Sequence, residues 1–295
     1  MKVLLPQQKT AATATMLVII GISLLFAGNL APAPEPNPMP PAYPFGVGER
    51  LVYGIRWNPP LYLFFLPPME AGQATLGIAG ETQYQNRKAL KIVFTARSSG
   101  ILARMVHLTV DDYYEFTTDA ETLCTRSVIK REREGKRMRD IDIAYAPDSR
   151  KLHLREVDVA GPQPRVLRDK DYEGIPPCVK DLFSALYALR RSRLEVGSKE
   201  RVLVGDNQII KEVEIRVLKK ERIRTEVGTF DAFQIDTIAV MGGLFKNGGQ
   251  FRIWLSADER RMPLKFEAKV NLGKVTGILR EARAGSQEPE ASSQK

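Results

Sequence analysis

Leu264-Lys-Phe-Glu-Ala-Lys-Val270 carries the cleanest two-residue alternation in the chain, with Leu264, Phe266, Ala268 and Val270 on one phase and Lys265, Glu267 and Lys269 on the other. Successive side chains of a strand point to opposite faces, so this stretch has one buried and one wet face. Antiparallel hairpin sheets behave this way, whereas parallel strands, buried on both faces, read as unbroken apolar runs. The same pattern recurs in both directions from it. Strands are expected over Gly48 to Trp57, Glu70 to Ala79, Ala89 to Ala96, Val106 to Phe116, Cys124 to Glu132, Lys136 to Tyr145, around Leu152 and Leu154, over Val213 to Val217, Phe233 to Val240 and Gly248 to Ser256. Asp169 to Pro177 shows no such pattern and reads as a loop. It leads into one confident helix, Asp181-Leu-Phe-Ser-Ala-Leu-Tyr-Ala-Leu-Arg190, where Leu182, Leu186 and Leu189 form an apolar stripe with Phe183 and Tyr187 beside it. Asp181 in the first turn and Arg190, Arg191 and Arg193 near the end suit the helix dipole. The expected fold is all-β and mainly antiparallel: a strongly curved sheet or barrel-like meander with a single helix packed on or into it.

The ends differ from this middle. Lys2 and Lys9 precede an apolar run from Met16 to Ala27, so residues 1–30 read as an export signal or, with a span near the roughly 20 residues a crossing helix needs, an N-terminal membrane anchor. Both alternatives stand, and both take the chain out of the cytoplasm, to the periplasm or to the inner membrane facing it. Seven prolines between Ala31 and Pro44 make residues 31–44 an extended linker, and residues 284–295 read as a disordered tail, leaving 45–283 as the β-rich domain.

The combination Phe45-Gly-Val-Gly-Glu-Arg-Leu-Val-Tyr53, Ala71-Gly72, Val110-Asp-Asp112, Asp181-Leu-Phe-Ser-Ala-Leu-Tyr187 with Arg190, Val227-Gly-Thr-Phe230, and Ile253-Trp-Leu-Ser-Ala-Asp258 with Arg261-Met-Pro263 resembles the bacterial exported proteins grouped as domain of unknown function 3108. The resemblance implies an envelope-facing all-β domain and no particular reaction. Leu61 to Pro68 departs from it, standing where a shorter link is expected.

Catalytic signatures are missing. Ser184 lies inside the helix without a strand-turn-helix elbow, neighbouring Asp111 and Asp112 point to opposite faces, and these two, like Asp140 and Asp142, read as solvated strand residues. Gly242-Gly243 and Gly248-Gly249 read as a hairpin loop and not a phosphate cradle, which needs a helix start. His107 and His153 are the only histidines and have no cluster of ligand spacing, so neither metal nor cofactor is implied. Cys124 and Cys178 are either one disulfide or two separately buried thiols.

The net charge of +9, or +7 without Lys2 and Lys9, points to an anionic envelope surface as electrostatic partner, with solvated hairpin faces the plainer account and nucleic acid a poor partner outside the cytoplasm. Candidate binding residues are Asp181, Tyr187 and Arg190 on the helix, with Trp57 and Trp254 as expected neighbours. Tyr62, Phe64 and Phe65, in the apolar run Leu61 to Leu66 between two proline pairs, are either a membrane-dipping tip or a plug buried over one end of the barrel. The functional reading is an exported, non-enzymatic domain binding an apolar or amphipathic envelope molecule, such as a lipid, or a protein partner. The alternatives are a structural scaffold component of an envelope complex and an envelope hydrolase.

Overall fold

The computed structural model describes residues 44–60, 66–100, 109–238, 251–270 and 273–286. Fourteen strands and one helix appear among them: β1 Arg50–Asn58, β2 Met69–Tyr84, β3 Arg87–Ser98, β4 Asp111–Asp119, β5 Thr125–Glu134, β6 Arg137–Ala146, β7 Lys151–Asp158, β8 Arg165–Glu173, α1 Leu182–Arg191, β9 Lys199–Asp206, β10 Ile209–Thr225, β11 Gly228–Ile238, β12 Phe251–Ser256, β13 Pro263–Val270 and β14 Gly273–Arg283. All strands pair antiparallel in one curved sheet, ordered β8-β7-β6-β5-β4-β3-β2-β1-β14-β13-β12-β11-β10-β9. The chain therefore starts at the middle, runs out to β8, crosses through α1 to the other edge at β9, and returns until β14 pairs with β1. Tight turns drive the meander. Gln85 and Asn86, both at positive φ, join β2 to β3 in the conformation whose twist suits a two-residue hairpin.

Register aligns one apolar row after another on the concave face. Ile78, Ile92, Phe116, Val128, Ile143 and Leu154 stand side by side across β2 to β7. They belong to a large core that also takes in Leu51, Tyr53 and Tyr187, while Val213, Ile215, Ile235, Ile253 and Leu255 form a second core against Leu189. Leu186 packs against both, so the helix joins the two halves of the sheet.

The sheet is not a closed barrel. The β9 edge is joined to the start of β5 through the short segment before the helix: Thr125 N–H donates to Val179 O, Lys180 N–H to Leu203 O and Gly205 N–H to Lys180 O, at 2.8, 3.0 and 2.8 Å. A side chain at Gly205 would collide with the Tyr145 hydroxyl and Val179, so glycine is needed for this close approach. A disulfide between Cys124 and Cys178, with Cα atoms 5.2 Å apart, fixes the same segment to the start of β5.

Two sequence expectations are corrected. Residues 169–173 are not loop but the second half of β8. As an edge strand exposed on both faces, β8 needs no apolar phase and so shows no alternation. On the helix, Leu182 is 42% exposed and the buried residues are Ser184, Tyr187, Leu189 and Arg190. Of the leucine stripe only Leu182 is turned out; the buried face runs from Leu189 to the polar residues Ser184, Tyr187 and Arg190, whose groups find partners inside.

Candidate functional site

Asp181 is the N-cap of α1 and not a first-turn residue: its carboxylate accepts from Phe183 N–H and Ser184 N–H at 2.8 and 3.0 Å. Its other oxygen accepts from the Thr125 hydroxyl at 2.8 Å and from Ser184, whose hydroxyl also meets that of Thr118 at 2.8 Å. At the far end of the helix Arg190 is fully enclosed. It donates to both oxygens of Glu49 at 2.7 and 2.8 Å and to the carbonyls of Pro44 and Arg260 at 3.2 and 3.3 Å. Its Nε has no acceptor among the described residues. Tyr187 donates to Glu49 at 2.8 Å, and burial followed by the Glu49 charge pushes its hydroxyl pKa well up. The Phe45 and Tyr187 rings lie under the Arg190 guanidinium at 5.1 and 5.0 Å. Burial alone would lower the Arg190 pKa, and the Glu49 carboxylate more than offsets it.

The structure thus brings Tyr187 and Arg190 together on Glu49 and leaves Asp181 apart, the three lying in two sealed polar clusters at opposite ends of the helix. Ser184 and Tyr187 are each 0% exposed. Such clusters fix the helix to the sheet, since buried polar groups must be paired. The two tryptophans are not their neighbours. Trp57 lies eight residues beyond Glu49 along β1, roughly 25 Å at strand rise, on the phase of Tyr53 and Ile55. Trp254 is on the opposite phase of β12 from Ile253 and Leu255, donating to Glu221 at 2.7 Å with Lys265 over its ring. Tyr62, Phe64 and Phe65 lie outside the described residues, as do His107 and the two glycine pairs.

From the helix border outward the concave face changes character. Ile55, Phe94, Tyr114, Phe251 and Phe266 are inward-phase residues left half-exposed. Phe94 stacks on Phe183 of the helix at 4.6 Å and meets Tyr114 at 5.9 Å; Phe266 meets Tyr53 and Phe251 at 5.6 and 6.2 Å. Gly277 makes room for the Phe266 ring, which lies directly over it.

The wall continuing from Tyr114 across β5 to β8 is charged. Lys130 Nζ donates to Asp206 and Asn207 at 2.6 and 3.0 Å and lies 5.9 Å from the centre of the Tyr114 ring. Arg137 pairs with Glu132 and, at 3.1 Å, with Glu134; Arg139 pairs with Asp158 and, at 3.7 Å, with Glu156. Asp112, expected to be solvated, is buried, accepts Arg133 N–H at 2.8 Å, and is pushed up to about 6 by burial and by Glu134 and Glu132. Burial likewise raises Glu132. The result is a concave surface with an aromatic wall and an ionic wall. The site leaves no signal in the sequence, because its members come from strands whose juxtaposition is known only from register. Among the described residues no His, Cys, Asp or Glu group suits a metal ion, and no helix is long and apolar enough to cross a membrane.

Among the described residues, a single curved antiparallel sheet with the helix α1 packed in it defines the class: all-β, barrel-like. The chain belongs to the family described as protein of unknown function (DUF3108), whose model matches residues 52–280. Among solved structures it is similar to a beta-barrel-like protein of domain of unknown function DUF1849 from Brucella abortus, at 9% identity and TM-score 0.52 over 82% of this chain and 99% of that one. A Bacteroides fragilis exported-protein candidate with a YmcC-like fold matches at 9% identity and TM-score 0.33, over 82% of this chain and 98% of that one. No curated protein matches.

Proposed function

We propose that the protein is an exported, non-enzymatic binding domain of the cell envelope that holds an amphipathic molecule on its concave face, on the part that runs outward from Phe94 at the helix border. One observation carries this reading: half-exposed inward residues Phe94, Tyr114 and Phe266 stand beside the ionic wall of Lys130, Glu132 and Arg137, so an apolar chain and a charged head meet suitable surfaces side by side. The hydrolase alternative gains nothing, because Asp112 and Glu132 are pushed the same way by burial, whereas acid–base work needs two carboxyls pushed apart.

The test is lipid extraction and mass spectrometry on the protein purified from its own host. A retained amphiphile, lost in Phe94→Ser with Phe266→Ser while the variant still unfolds cooperatively, supports the reading. A clean apo-protein with a reproducible protein co-purifier transfers support to the scaffold alternative.

A further inference from the structure

The convex face of one half of the sheet carries charge in rows that change sign from strand to strand. Lys91 and Arg97 on β3 face Glu115 and Asp111 on β4, at 3.4 and 2.8 Å. Next comes a basic row on β5, Arg131 and Arg133, paired with the acidic row of β6, Asp142 and Asp140, at 2.8 and 2.7 Å. Then Lys151, His153 and Arg155 on β7 meet Glu173, Asp171 and Asp169 on β8 at 3.1, 2.7 and 3.5 Å. The order is basic, acidic, basic, acidic, basic, acidic, and there it stops. β8 is last in the sheet, so among the described residues its outer edge presents backbone N–H and C=O groups to no other strand. The side chains of Asp169, Asp171 and Glu173 are 50, 65 and 75% exposed.

We propose that this edge is a docking strand for an extended segment of another protein carrying Lys or Arg at every second position, which adds beside β8 and continues the alternation with a basic row. Main-chain ladder bonds supply affinity in such additions and alternate side chains supply selectivity. A second copy of the chain is a poor occupant: two β8 strands added edge to edge would set acidic row against acidic row, which is destabilising across a pair. An unstructured polycation is also a poor fit, because only an extended strand puts every second residue on the convex face.

The test uses the purified full chain and synthetic peptides of nine residues. One alternates Lys with Thr and Val, a second has the same composition with its lysines in one block, and a third replaces each Lys of the first by Glu. The alternating lysine peptide is expected to bind about fivefold to tenfold more tightly than the block isomer, two or three cross-strand ion pairs supplying the difference. It should slow hydrogen exchange at β8 amides and leave β4 amides unchanged. Asp169→Lys with Asp171→Lys, both exposed positions, should exchange the preference, so that the glutamate peptide binds and the lysine peptide does not. Three outcomes overturn the proposal: equal binding of alternating and block peptides without β8 protection, no binding at millimolar peptide, or β8 protection already present without peptide and lost on dilution, which would make a second copy the occupant.

Discussion

β4 runs from one end of the concave face to the other and carries a buried carboxyl at each. Asp119, at the helix end, is 1% exposed, yet its pKa is held down to about 2: burial opposes ionisation, and the Thr122 N–H and hydroxyl with the Arg126 guanidinium outweigh it. Asp112, at the open end, is 6% exposed with one backbone N–H for a partner, and burial together with two neighbouring glutamates pushes it up to about 6. The shifts are opposite because one end is rich in donors and the other is more deeply desolvated and poor in them. The helix end is where the fold is held; the open end keeps buried groups short of partners beside half-exposed aromatics, as a binding surface does.

The largest effect that tests this division is at Arg190. Removing one member of an enclosed ion pair leaves the other buried and unpaired, so Arg190→Ala should lower unfolding free energy in urea by about 3–5 kcal/mol. A loss no larger than the roughly 0.5 kcal/mol of an ordinary surface change would mean that the helix end is not the rigid one. Next is the bond between Cys124 and Cys178. The cross-link spans 54 residues of sequence. Replacing both cysteines by alanine should cost about 3–4 kcal/mol, most of it through the unfolded chain. Non-reducing mass mapping should find the two peptides linked, and recovery of both as alkylated thiols removes this account of the seam. Smaller again is Asp181→Ala, which strips the helix of its N-cap at about 1–2 kcal/mol, read from the same urea curves.

Much of the fold is legible in the sequence because burial on one face writes itself as alternation. β13, with Leu264, Phe266 and Ala268 against Lys265 and Glu267, is readable for that reason. β8 is the counterexample, since Arg165–Glu173 has both faces in water and only its pairing with β7 makes it a strand. The helix was visible but its orientation was not. Leucine spacing predicts an apolar buried face, while the face that goes inside carries Ser184, Tyr187 and Arg190, satisfied by Thr118 and Glu49 from distant parts of the chain. Such pairings leave no local signal. Trp57 and Trp254 mislead in the same way, for a tryptophan in a strand declares size and not phase.

The smallest expected effect lies at the open end and concerns pH. A carboxyl titrates near 3.8 in the unfolded chain, while Asp112 titrates at about 6 in the folded one. Between those values the folded protein holds the proton that the unfolded chain has released, so the unfolded chain binds fewer protons and stability falls as pH rises. The penalty is absent below about 4 and complete above about 6. Asp119 works the other way, its contribution present above the unfolded value and lost as pH falls toward 2, outside that window. Asp112→Asn keeps an oxygen to accept Arg133 N–H and cannot ionise. It should flatten the decline in urea midpoint between pH 4 and pH 7, a change on the order of 1 kcal/mol for a group that water still partly screens. Glu132 is also raised, so some slope should survive in the variant and disappear on adding Glu132→Gln. An unchanged slope in the double variant would mean that the open end is as well satisfied as the helix end, and the division between holding and binding would fail where it matters most.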